Sequence, residues 1–545
     1  MKTGGQLIVE CLEAQGVDRV FCVPGESYLA VLDALHDSDI ETVVAKQEGG
    51  AAMMAEADGK LTGRPGICMV TRGPGATNAA SGIHVAKQDS VPMIMFVGQI
   101  GRRMKGREAF QEVDYRQTFG DLAKWVEEID HADRIPEVIS HAYHVAMSGR
   151  PGPVVIALPE DMLRDVADVE PAPYIEVADP APTEEAIAGV VDLLKEAKNP
   201  FLLLGGTRWT EEDVATVHKF AEDWGLPVGC SFRRQQLFDH THPNYAGDVG
   251  LGINPALKSR LENSDLVILL GARFSENPSQ GFSSFDIPVP KQNIVQIHSG
   301  AEELGRIYRA NVSINATPGT FLNAMMKEAT PEGRAVDPTV HEEYLAWTSN
   351  PPKIPGDVQM GEVMKHLIKV LPEDAIMANG AGNYAIWLHR FWPFRSFGSQ
   401  LAPTSGSMGY GLPAAVAGGL RCPDKEVFCF AGDGCFQMTM QEFGTAMQYR
   451  SKVIVLLIDN GIYGTIRMHQ EREYPSRISG TDILNPDFAA LAKAYGAHAE
   501  TVVKTEEFPA ALERARNSKF AALIHIKIDP EAISPTATIS GLRGK

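Results

Sequence analysis

The chain has 545 residues, of which 44% are hydrophobic and 22% charged. This is the composition of a soluble globular protein, and the length suits about three or four domains. The 50 basic and 69 acidic residues give a net charge of -19, which argues against a nucleic-acid-binding surface or an anionic-membrane-binding surface.

The seven cysteines are scattered, odd in number and mostly placed inside apolar runs. They predict reduced core thiols in a cytoplasmic protein instead of a disulfide framework. No apolar run approaches the roughly 20 residues of a membrane span. The first residues have the pattern of an amphipathic helix that contains acids, which is not typical of a signal peptide.

Residues 1–168 alternate short apolar runs with segments of helical period, which predicts a doubly wound α/β domain. The predicted strands are Arg19–Val23, Thr42–Ala45, Gly66–Val70, Met93–Val97 and Val154–Ala157. The predicted helices are Gly4–Gln15, Tyr28–His36, Gly49–Leu61, Asn78–Gln88 and Ile135–Met147.

Two loops of this domain follow predicted strands and contain candidate binding residues. Glu48 lies at the carboxyl edge of the sheet, where ligands bind in such folds. Taken alone, it is more simply interpreted as a helix N-terminal acid stabilised by the helix dipole. The glycine- and proline-rich segment 71–78 predicts a tight loop before a helix capped by Asn78, either to bind a phosphate or only to make a close turn.

A polar, proline-bearing linker, Glu170–Thr183, precedes a second α/β domain at residues 183–330. Its predicted strands are Phe201–Leu204, Leu226–Gly229, Leu266–Leu270 and Ile294–Ile297. The pair Gly205-Gly206 resembles part of a dinucleotide site, but one glycine pair is a weak signal.

A second predicted linker, Thr330–Pro355, leads to a third α/β domain at residues 356–535. Its most informative stretch is Glu426–Asn460, which has the pattern strand, glycine turn, helix, strand. The predicted helix carries four apolar side chains on one face, namely Phe436, Met440, Phe443 and Met447.

This stretch predicts a site for a metal-bound diphosphate. A right-handed crossover places the two strands side by side and parallel, so Asp433 and Asn460 meet at one edge of the sheet. A carboxylate and an amide oxygen suit a hard cation. Gly432 and Gly434 leave backbone amides open for an anion at the start of the helix.

The GDG turn followed by a helix and a strand ending in Asn resembles the diphosphate-binding motif of thiamine diphosphate enzymes. Further segments follow the order and spacing of the acetolactate synthase-like family of these enzymes across nearly the whole chain. They are VPGE (23–26), KQEGGAAMMAEADGK (46–60), RGPGATNAASGIHVAKQDSVPMI (72–94), AFQE (109–112) and GRPGPVVIALPEDM (149–162).

The resemblance implies a catalytic role for three residues of the first domain. Glu48 would bond the aminopyrimidine ring of the cofactor, and Gln111 and Glu26 would lie on the substrate side. It also implies that a divalent metal, Mg²⁺, binds to Asp433, Asn460 and the Ile462 carbonyl. The remaining expected cofactor contacts are Asn383, Tyr384, Gly406, Met408, Gly432, Gly434, Cys435 and Tyr463, with Met408 holding the cofactor bent. His469 and Gln470 are candidate substrate contacts.

The resemblance implies three doubly wound domains (pyrimidine-binding, central and diphosphate-binding) and an active site shared between two subunits of a homodimer or homotetramer. The implied reaction is decarboxylation of a pyruvate-like 2-keto acid and carboligation of its acyl group to a second carbonyl. The alternatives are a non-oxidative decarboxylase or carbon–carbon lyase, a flavin-dependent oxidase, and a non-catalytic cofactor-binding regulator.

Four departures from the synthases favour a specialised relative. Segment 271–280 continues GARF with SENPSQ, and IHSG (297–300) lacks the acids of the flavin pattern, so a structural central domain is favoured over one that binds FAD. Glu160 stands in place of Lys, His469 in place of Trp, and Glu26 in place of a small residue.

Overall fold

The computed structural model describes residues 1–331 and 333–544 and contains three six-stranded parallel sheets. Each sheet is flanked by helices, which confirms the predicted architecture of three doubly wound α/β domains. Each sheet lies inside one of the predicted ranges 1–168, 183–330 and 356–535; these boundaries themselves stay a prediction. No helix of the described residues is long and apolar enough to cross a membrane.

The N-terminal sheet has the strand order β3-β2-β4-β5-β7-β6. Strands β4, β5 and β7 are buried along their whole length, as expected where helices cover both faces. The strands are β1 (Lys2–Thr3), β2 (Arg19–Cys22), β3 (Glu41–Val44), β4 (Gly66–Val70), β5 (Met93–Gln99), β6 (Trp125–Glu128), β7 (Pro153–Pro159) and β8 (Val166–Ala167). The helices are α1 (Gly4–Ala14), α2 (Leu29–His36), α3 (Glu48–Thr62), α4 (Pro74–Asp89), α5 (Tyr115–Phe119) and α6 (Ile135–Met147).

The central sheet has the order β11-β10-β9-β12-β13-β14. Its strands are β9 (Pro200–Leu204), β10 (Val228–Ser231), β11 (Tyr245–Val249), β12 (Leu266–Leu270), β13 (Asn293–His298) and β14 (Val312–Asn315). Its helices are α7 (Glu184–Glu196), α8 (Glu211–Trp224), α9 (Pro255–Glu262), α10 (Pro318–Met325) and α11 (Thr339–Thr348).

The C-terminal sheet has the order β16-β15-β17-β18-β20-β19, so that β17 and β18 are neighbours. Its strands are β15 (Ile376–Asn379), β16 (Gln400–Leu401), β17 (Val427–Gly432), β18 (Val453–Asp459), β19 (His498–Val502) and β20 (Ala522–Lys527). The helices are α12 (Met360–Val370), α13 (Ala385–Phe391), α14 (Gly411–Arg421), α15 (Asp433–Gln437), α16 (Glu442–Gln448), α17 (Gly464–Glu473), α18 (Phe488–Ala494), α19 (Phe508–Arg516) and α20 (Ile539–Arg543).

The prediction of a single helix after the GDG turn is wrong, because the chain forms two helices there, α15 and α16. The break falls at Thr439, whose hydroxyl donates to the Gly409 carbonyl at 2.6 Å. A threonine that bonds a neighbouring loop competes with the regular helical hydrogen bonds. Phe436 and Phe443 are still buried in one core.

Three other predictions need correction. The predicted linker Thr330–Pro355 contains α11, on which Val340 and Tyr344 lie one turn apart and are both buried. Residue 332 of this linker lies outside the described residues. The predicted strand Leu226–Gly229 is β10, shifted toward the carboxyl end. Asn78 does not cap α4, because this helix begins at Pro74, a residue suited to the first helical position.

The N-terminal and C-terminal domains share one hydrophobic core. Helix α3 packs against α14, and small residues such as Ala51 and Ala414 are buried between them. Small side chains allow two helix backbones to approach closely.

A buried polar cluster, here called the interdomain network, joins the same two domains. The Tyr410 hydroxyl donates to Glu56 at 2.5 Å, and the Lys60 ammonium lies 3.0 Å from Glu56 and 2.5 Å from Asp89. The Thr404 backbone N–H donates to Asp89 at 2.7 Å. The network therefore connects α3 to the loop 404–410.

Candidate active site

A cavity of about 240 Å³ opens at the carboxyl edge of the C-terminal sheet. The cofactor contacts predicted in this domain all border it, namely Asn383, Tyr384, Gly406, Met408, Gly432, Asp433, Gly434, Cys435, Asn460, Ile462 and Tyr463. They come from the ends of β15, β17 and β18 and from the loop before α14. The parallel pairing of β17 with β18 brings them together.

Asp433 and Asn460 meet at this edge. Asp433 Oδ2 accepts a hydrogen bond from the Gly461 backbone N–H at 3.0 Å. Burial raises the pKa of the Asp433 carboxyl to about 6, although a hydrogen bond from Asn485 opposes the change. Ionised Asp433 therefore lacks sufficient compensation within the protein, which is the condition that a bound cation would relieve.

The residues present fit a divalent cation and a diphosphate. The Asn460 side chain and the Ile462 backbone border the same end of the cavity as Asp433. Among the described residues, no donor hydrogen-bonds to the Ile462 carbonyl. A Cβ added to Gly434 would lie 2.7 Å from the Tyr463 ring, so the turn has no room for a side chain there.

Asn485 contacts Asp433 from outside the cavity and was not predicted from the sequence. Its Nδ2 donates to Asp433 Oδ2 and to Asp459 Oδ1, both at 2.7 Å. The carboxylate of Asp459 also accepts from His525 Nε2 at 2.8 Å. Asn485 therefore orients Asp433. The Asn-Pro pair before α18 predicts only a turn, so the sequence carries no sign of this contact.

Cys435, one of the expected cofactor contacts, has its side chain held by two hydrogen bonds. Its sulfur accepts from the Tyr384 hydroxyl at 3.1 Å and from the Gly409 backbone N–H at 3.2 Å. Burial raises the pKa of the thiol, so it is protonated at neutral pH.

Glu48 lies in the N-terminal domain, as the first residue of α3. Gln47 caps the helix, with its side-chain oxygen accepting from Gly49 N–H at 2.6 Å. The Asn78 amide donates to Glu48 Oε2 at 3.0 Å. The half-buried carboxylate is thereby oriented, with Oε1 left without a hydrogen bond from the described residues.

The other two predicted catalytic residues lie near the same sheet edge. Gln111 has a φ of 65° and packs against the glycine turn, where a Cβ on Gly73 would lie 2.9 Å from its own Cβ. Glu26 has a side chain that is 68% exposed and pairs with Arg72 at 3.1 Å. Arg72 also binds Glu160 at 3.1 Å. The segment 71–78 is thus a close turn that supports this edge.

Within one chain, the predicted catalytic residues of the N-terminal domain do not meet the predicted metal ligands of the C-terminal domain. Glu48, Gln111 and Glu26 do not border the cavity that contains Asp433 and Asn460. The predicted site residues therefore form two separate groups in one chain, one on each terminal domain, here called the N-terminal and C-terminal half-sites.

The substrate candidates after Asn460 occupy different places on α17. His469 borders a second, larger cavity of about 560 Å³ between the central and C-terminal domains. The Gln470 amide instead donates to the Ser479 carbonyl at 2.7 Å.

A cleft of about 440 Å³ lies at the carboxyl edge of the central sheet and is also bordered by residues of the two terminal domains. Gly206, Arg273 and His298, from the three segments considered for flavin, border this cleft together with Arg234. Two arginines are suited to phosphate groups, so the cleft is chemically compatible with a dinucleotide.

Three family models match the chain in order: the N-terminal TPP binding domain of thiamine pyrophosphate enzymes at residues 2–118, the central domain at 187–325, and the C-terminal TPP binding domain at 380–526. Thiamine pyrophosphate is another name for thiamine diphosphate.

The chain is also similar to curated acetolactate synthase subunits. It is 30% identical to the isozyme 2 large subunit of Escherichia coli K12, over 96% of this chain and 95% of that protein. It is 33% identical to the large subunit of Corynebacterium glutamicum, over 94% and 84%. It is 30% identical to the mitochondrial catalytic subunit of Saccharomyces cerevisiae, over 97% and 81%. The chain thus belongs to the thiamine pyrophosphate enzyme family, among the relatives of acetolactate synthase catalytic subunits.

Proposed function

We propose that this protein is a thiamine diphosphate- and Mg²⁺-dependent enzyme that decarboxylates a 2-keto acid and transfers the acyl group to a second carbonyl compound. The observation that carries this proposal is the single cavity bordered by Asp433, Asn460, Ile462 and Met408. The names of the curated relatives support carboligation over simple decarboxylation. The second candidate, a non-oxidative decarboxylase, would release the acyl group as an aldehyde.

The C-terminal half-site would hold the metal and the diphosphate. Asp433, Asn460 and the Ile462 carbonyl would bind Mg²⁺, with Asn485 orienting the Asp433 carboxylate. Met408 and Gly406 border the same cavity from the opposite loop and would contact the ring end of the cofactor. Bound thiamine diphosphate supplies a nucleophilic carbon and an electron sink for the decarboxylation.

The N-terminal half-site would provide the proton transfer. Asn78 holds Glu48 Oε2, so Oε1 can share a proton with the aminopyrimidine ring. Gln111 and Glu26 would lie on the substrate side, and Arg72 fixes the Glu26 carboxylate.

The complete site would form between two copies of the chain, in a homodimer or a homotetramer. This proposal is supported by the separation of Glu48 from the C-terminal cavity within one chain. Beside Gln111, Phe110 is 74% exposed, which suits a surface that becomes covered. The seven free cysteines, six of them buried, support a cytoplasmic location.

We further propose that the reaction does not need FAD, although Arg234 and Arg273 could bind its phosphates. Decarboxylation followed by carboligation transfers no electrons to an acceptor, so no redox cofactor is required. Colourless protein with full activity is the expected result. Loss of activity on flavin removal, or oxygen consumption during turnover, would favour the oxidase alternative.

The experiment that tests the main proposal is a screen of 2-keto acids with thiamine diphosphate and Mg²⁺. Carbon dioxide release and the mass of the coupled product are read together. We expect both signals with pyruvate-like donors and neither signal after chelation of the metal. Carbon dioxide with only an aldehyde product would favour the decarboxylase, and no carbon dioxide from any 2-keto acid would refute both.

A further inference from the structure

The loop 45–47 joins β3 to α3 and ends immediately before Glu48. Gln47 caps α3 with its side chain, but the Lys46 backbone N–H has no acceptor among the described residues of its own domain. The N-terminal domain alone therefore does not fix the chain just before Glu48.

The acceptor of this N–H is the carboxylate of Glu442, the first residue of α16 in the C-terminal domain of the same chain. The Lys46 N–H donates to Glu442 Oε1 at 3.2 Å and to Oε2 at 3.1 Å. Glu442 is 0% exposed, and the Thr445 hydroxyl donates to its Oε2 at 2.7 Å. Burial raises the pKa of the Glu442 carboxyl, and these hydrogen bonds oppose the change. The carboxylate is thus held in one orientation.

The same carboxylate packs against the first turn of α3. A Cβ on Gly50 would lie 2.4 Å from Glu442 Oε1, so this close approach requires a glycine. Glu442 therefore contacts the backbone on both sides of Glu48, at Lys46 before it and at Gly50 after it.

Tyr449, the residue that follows α16, fixes the strand that leads to this loop. Strand β3 lies at the edge of the N-terminal sheet. The Tyr449 hydroxyl accepts from the Val44 N–H at 2.8 Å and donates to the Thr42 carbonyl at 3.1 Å. These backbone groups belong to alternate residues of β3 and face away from β2. One segment of the C-terminal domain thus holds both the strand and the loop before Glu48.

Glu442 does not border the C-terminal cavity, although it follows the GDG turn in the same crossover between β17 and β18. Its contacts outside its own helix are with the N-terminal domain. It is therefore placed to act on Glu48 and not on the cofactor that its own domain would hold.

We propose that Glu442 is a positioning residue for Glu48, and that it fixes the backbone around Glu48 so that Oε1 stays available to the aminopyrimidine ring. This inference rests on the proposed function and on a site shared between two subunits. Glu442 lies in the C-terminal domain but would serve the N-terminal half-site, and through it the cofactor that the partner subunit binds.

The first test separates proton transfer from cofactor binding in the holoenzyme. Glu442→Leu leaves the Lys46 N–H without an acceptor. Proton exchange at the reactive carbon of bound thiamine diphosphate should therefore slow by about 10–100-fold, as for a misplacement of about 1 Å. The Kd of thiamine diphosphate with Mg²⁺ should change far less. A wild-type exchange rate, or a loss of rate matched by an equal loss of cofactor affinity, would overturn the proposal.

Three further variants control this result. Glu442→Gln keeps an acceptor oxygen for Lys46 and should keep most of the rate. Gly50→Ala would displace the Glu442 carboxylate from the other side, so it should show the same separation of rate and affinity even if Glu442→Leu does not fold. Ser451→Ala removes an equally buried hydroxyl that donates to the Val416 carbonyl within the C-terminal domain, and it should change neither quantity. Circular dichroism shows which variants are folded.

Hybrid dimers then show which half-site Glu442 serves. In a shared site, each centre combines Glu48 of one chain with Asp433 of the other. A hybrid of Glu442→Leu and Asp433→Asn chains should regain one working centre, whereas a hybrid of Glu442→Leu and Glu48→Gln chains should regain none. The reverse pattern would overturn the proposal, because Glu442 would then serve the cofactor of its own domain. Recovery in neither hybrid would overturn it as well, because Glu442 would then only maintain the fold.

Two controls separate this inference from the proposed function. A hybrid of Glu48→Gln and Asp433→Asn chains should regain activity, and failure of this pair would refute the shared site itself. Amide hydrogen exchange of segment 44–49 is measured by mass spectrometry on the full-length protein, with and without cofactor. Loss of the Lys46 hydrogen bond in Glu442→Leu should make it about 5-fold faster, and Ser451→Ala should not change it. Unchanged exchange in this segment would overturn the inference, whereas faster exchange in a protein that binds no thiamine diphosphate would refute the proposed function on which the role depends.

Discussion

Replacing Glu56 by glutamine should stabilise the protein at pH 8 and have a much smaller effect at pH 5. Glu56 is fully buried in the interdomain network, and burial raises its pKa from 4.5 to about 7, with Asp89 acting in the same direction and Lys60 against it. The native pKa exceeds the unfolded one, so native stability falls as the pH rises from 4.5 through 7. Glutamine keeps an acceptor for the Tyr410 hydroxyl and removes the charge.

The magnitude follows from the two pKa values. The difference between 4.5 and about 7 corresponds to ~3 kcal/mol of unfolding free energy at pH 8, and to less than ~1 kcal/mol at pH 5. For a domain of this size, ~1 kcal/mol changes the melting temperature by about 2–4 °C. The variant should therefore melt on the order of 5–10 °C above the wild type at pH 8.

The assay is thermal unfolding of Glu56→Gln and wild type at both pH values, without cofactor. Glu196→Gln, which changes an exposed glutamate at the end of α7, is the matched control and should show no pH-dependent difference. Tyr410→Phe removes a bond that lowers the Glu56 pKa, so its instability should grow between pH 5 and pH 8. A Glu56→Gln effect of equal size at pH 5 and pH 8 would refute the reasoning.

Three further predictions concern the half-sites. Glu48→Gln should slow proton exchange at the reactive carbon of bound thiamine diphosphate by about 10²–10⁴-fold, measured by deuterium exchange; an unchanged rate would exclude Glu48 as the proton-sharing group. Asp433→Asn should weaken Mg²⁺-dependent cofactor binding by more than about 10-fold, measured by titration, while EDTA should have no further effect on the variant. Gly434→Ala places a Cβ 2.7 Å from the Tyr463 ring. The affinity of this variant for the cofactor, measured by titration, should therefore fall while the pH dependence of binding stays the same. An affinity equal to that of the wild type would show that the turn can relax.

The meeting of Asp433 and Asn460 could be predicted because it is encoded locally. The strands that end just before these two residues are separated by one crossover, and parallel pairing brings their carboxyl ends together. Buried parallel strands also have continuous apolar runs, and these runs allowed the three sheets to be predicted from the sequence. The break at Thr439 was missed because the apolar period continues through it, whereas the hydroxyl contact to Gly409 depends on a distant loop.

The residue that the sequence did not predict acts through long-range packing. Asn485 reaches Asp433 from the loop before α18, 52 positions along the chain. Only the folded arrangement brings its amide to the Asp433 carboxylate, because nothing near Asn485 in the chain indicates this contact.

Helix α3 has a consequence for communication between active centres. It has 15 residues and a length of about 22 Å, with Glu48 at its first residue and Glu56 and Lys60 anchored to the C-terminal domain of the same chain. In the proposed dimer, the first residue of α3 would act in the catalytic centre that contains the partner's C-terminal domain. The later residues of the same helix would support the loop 404–410 of the other catalytic centre. A shift of the loop around Tyr410 on cofactor binding would then tilt the carboxylate presented to the opposite centre, so the two centres would be expected to fill and turn over out of step.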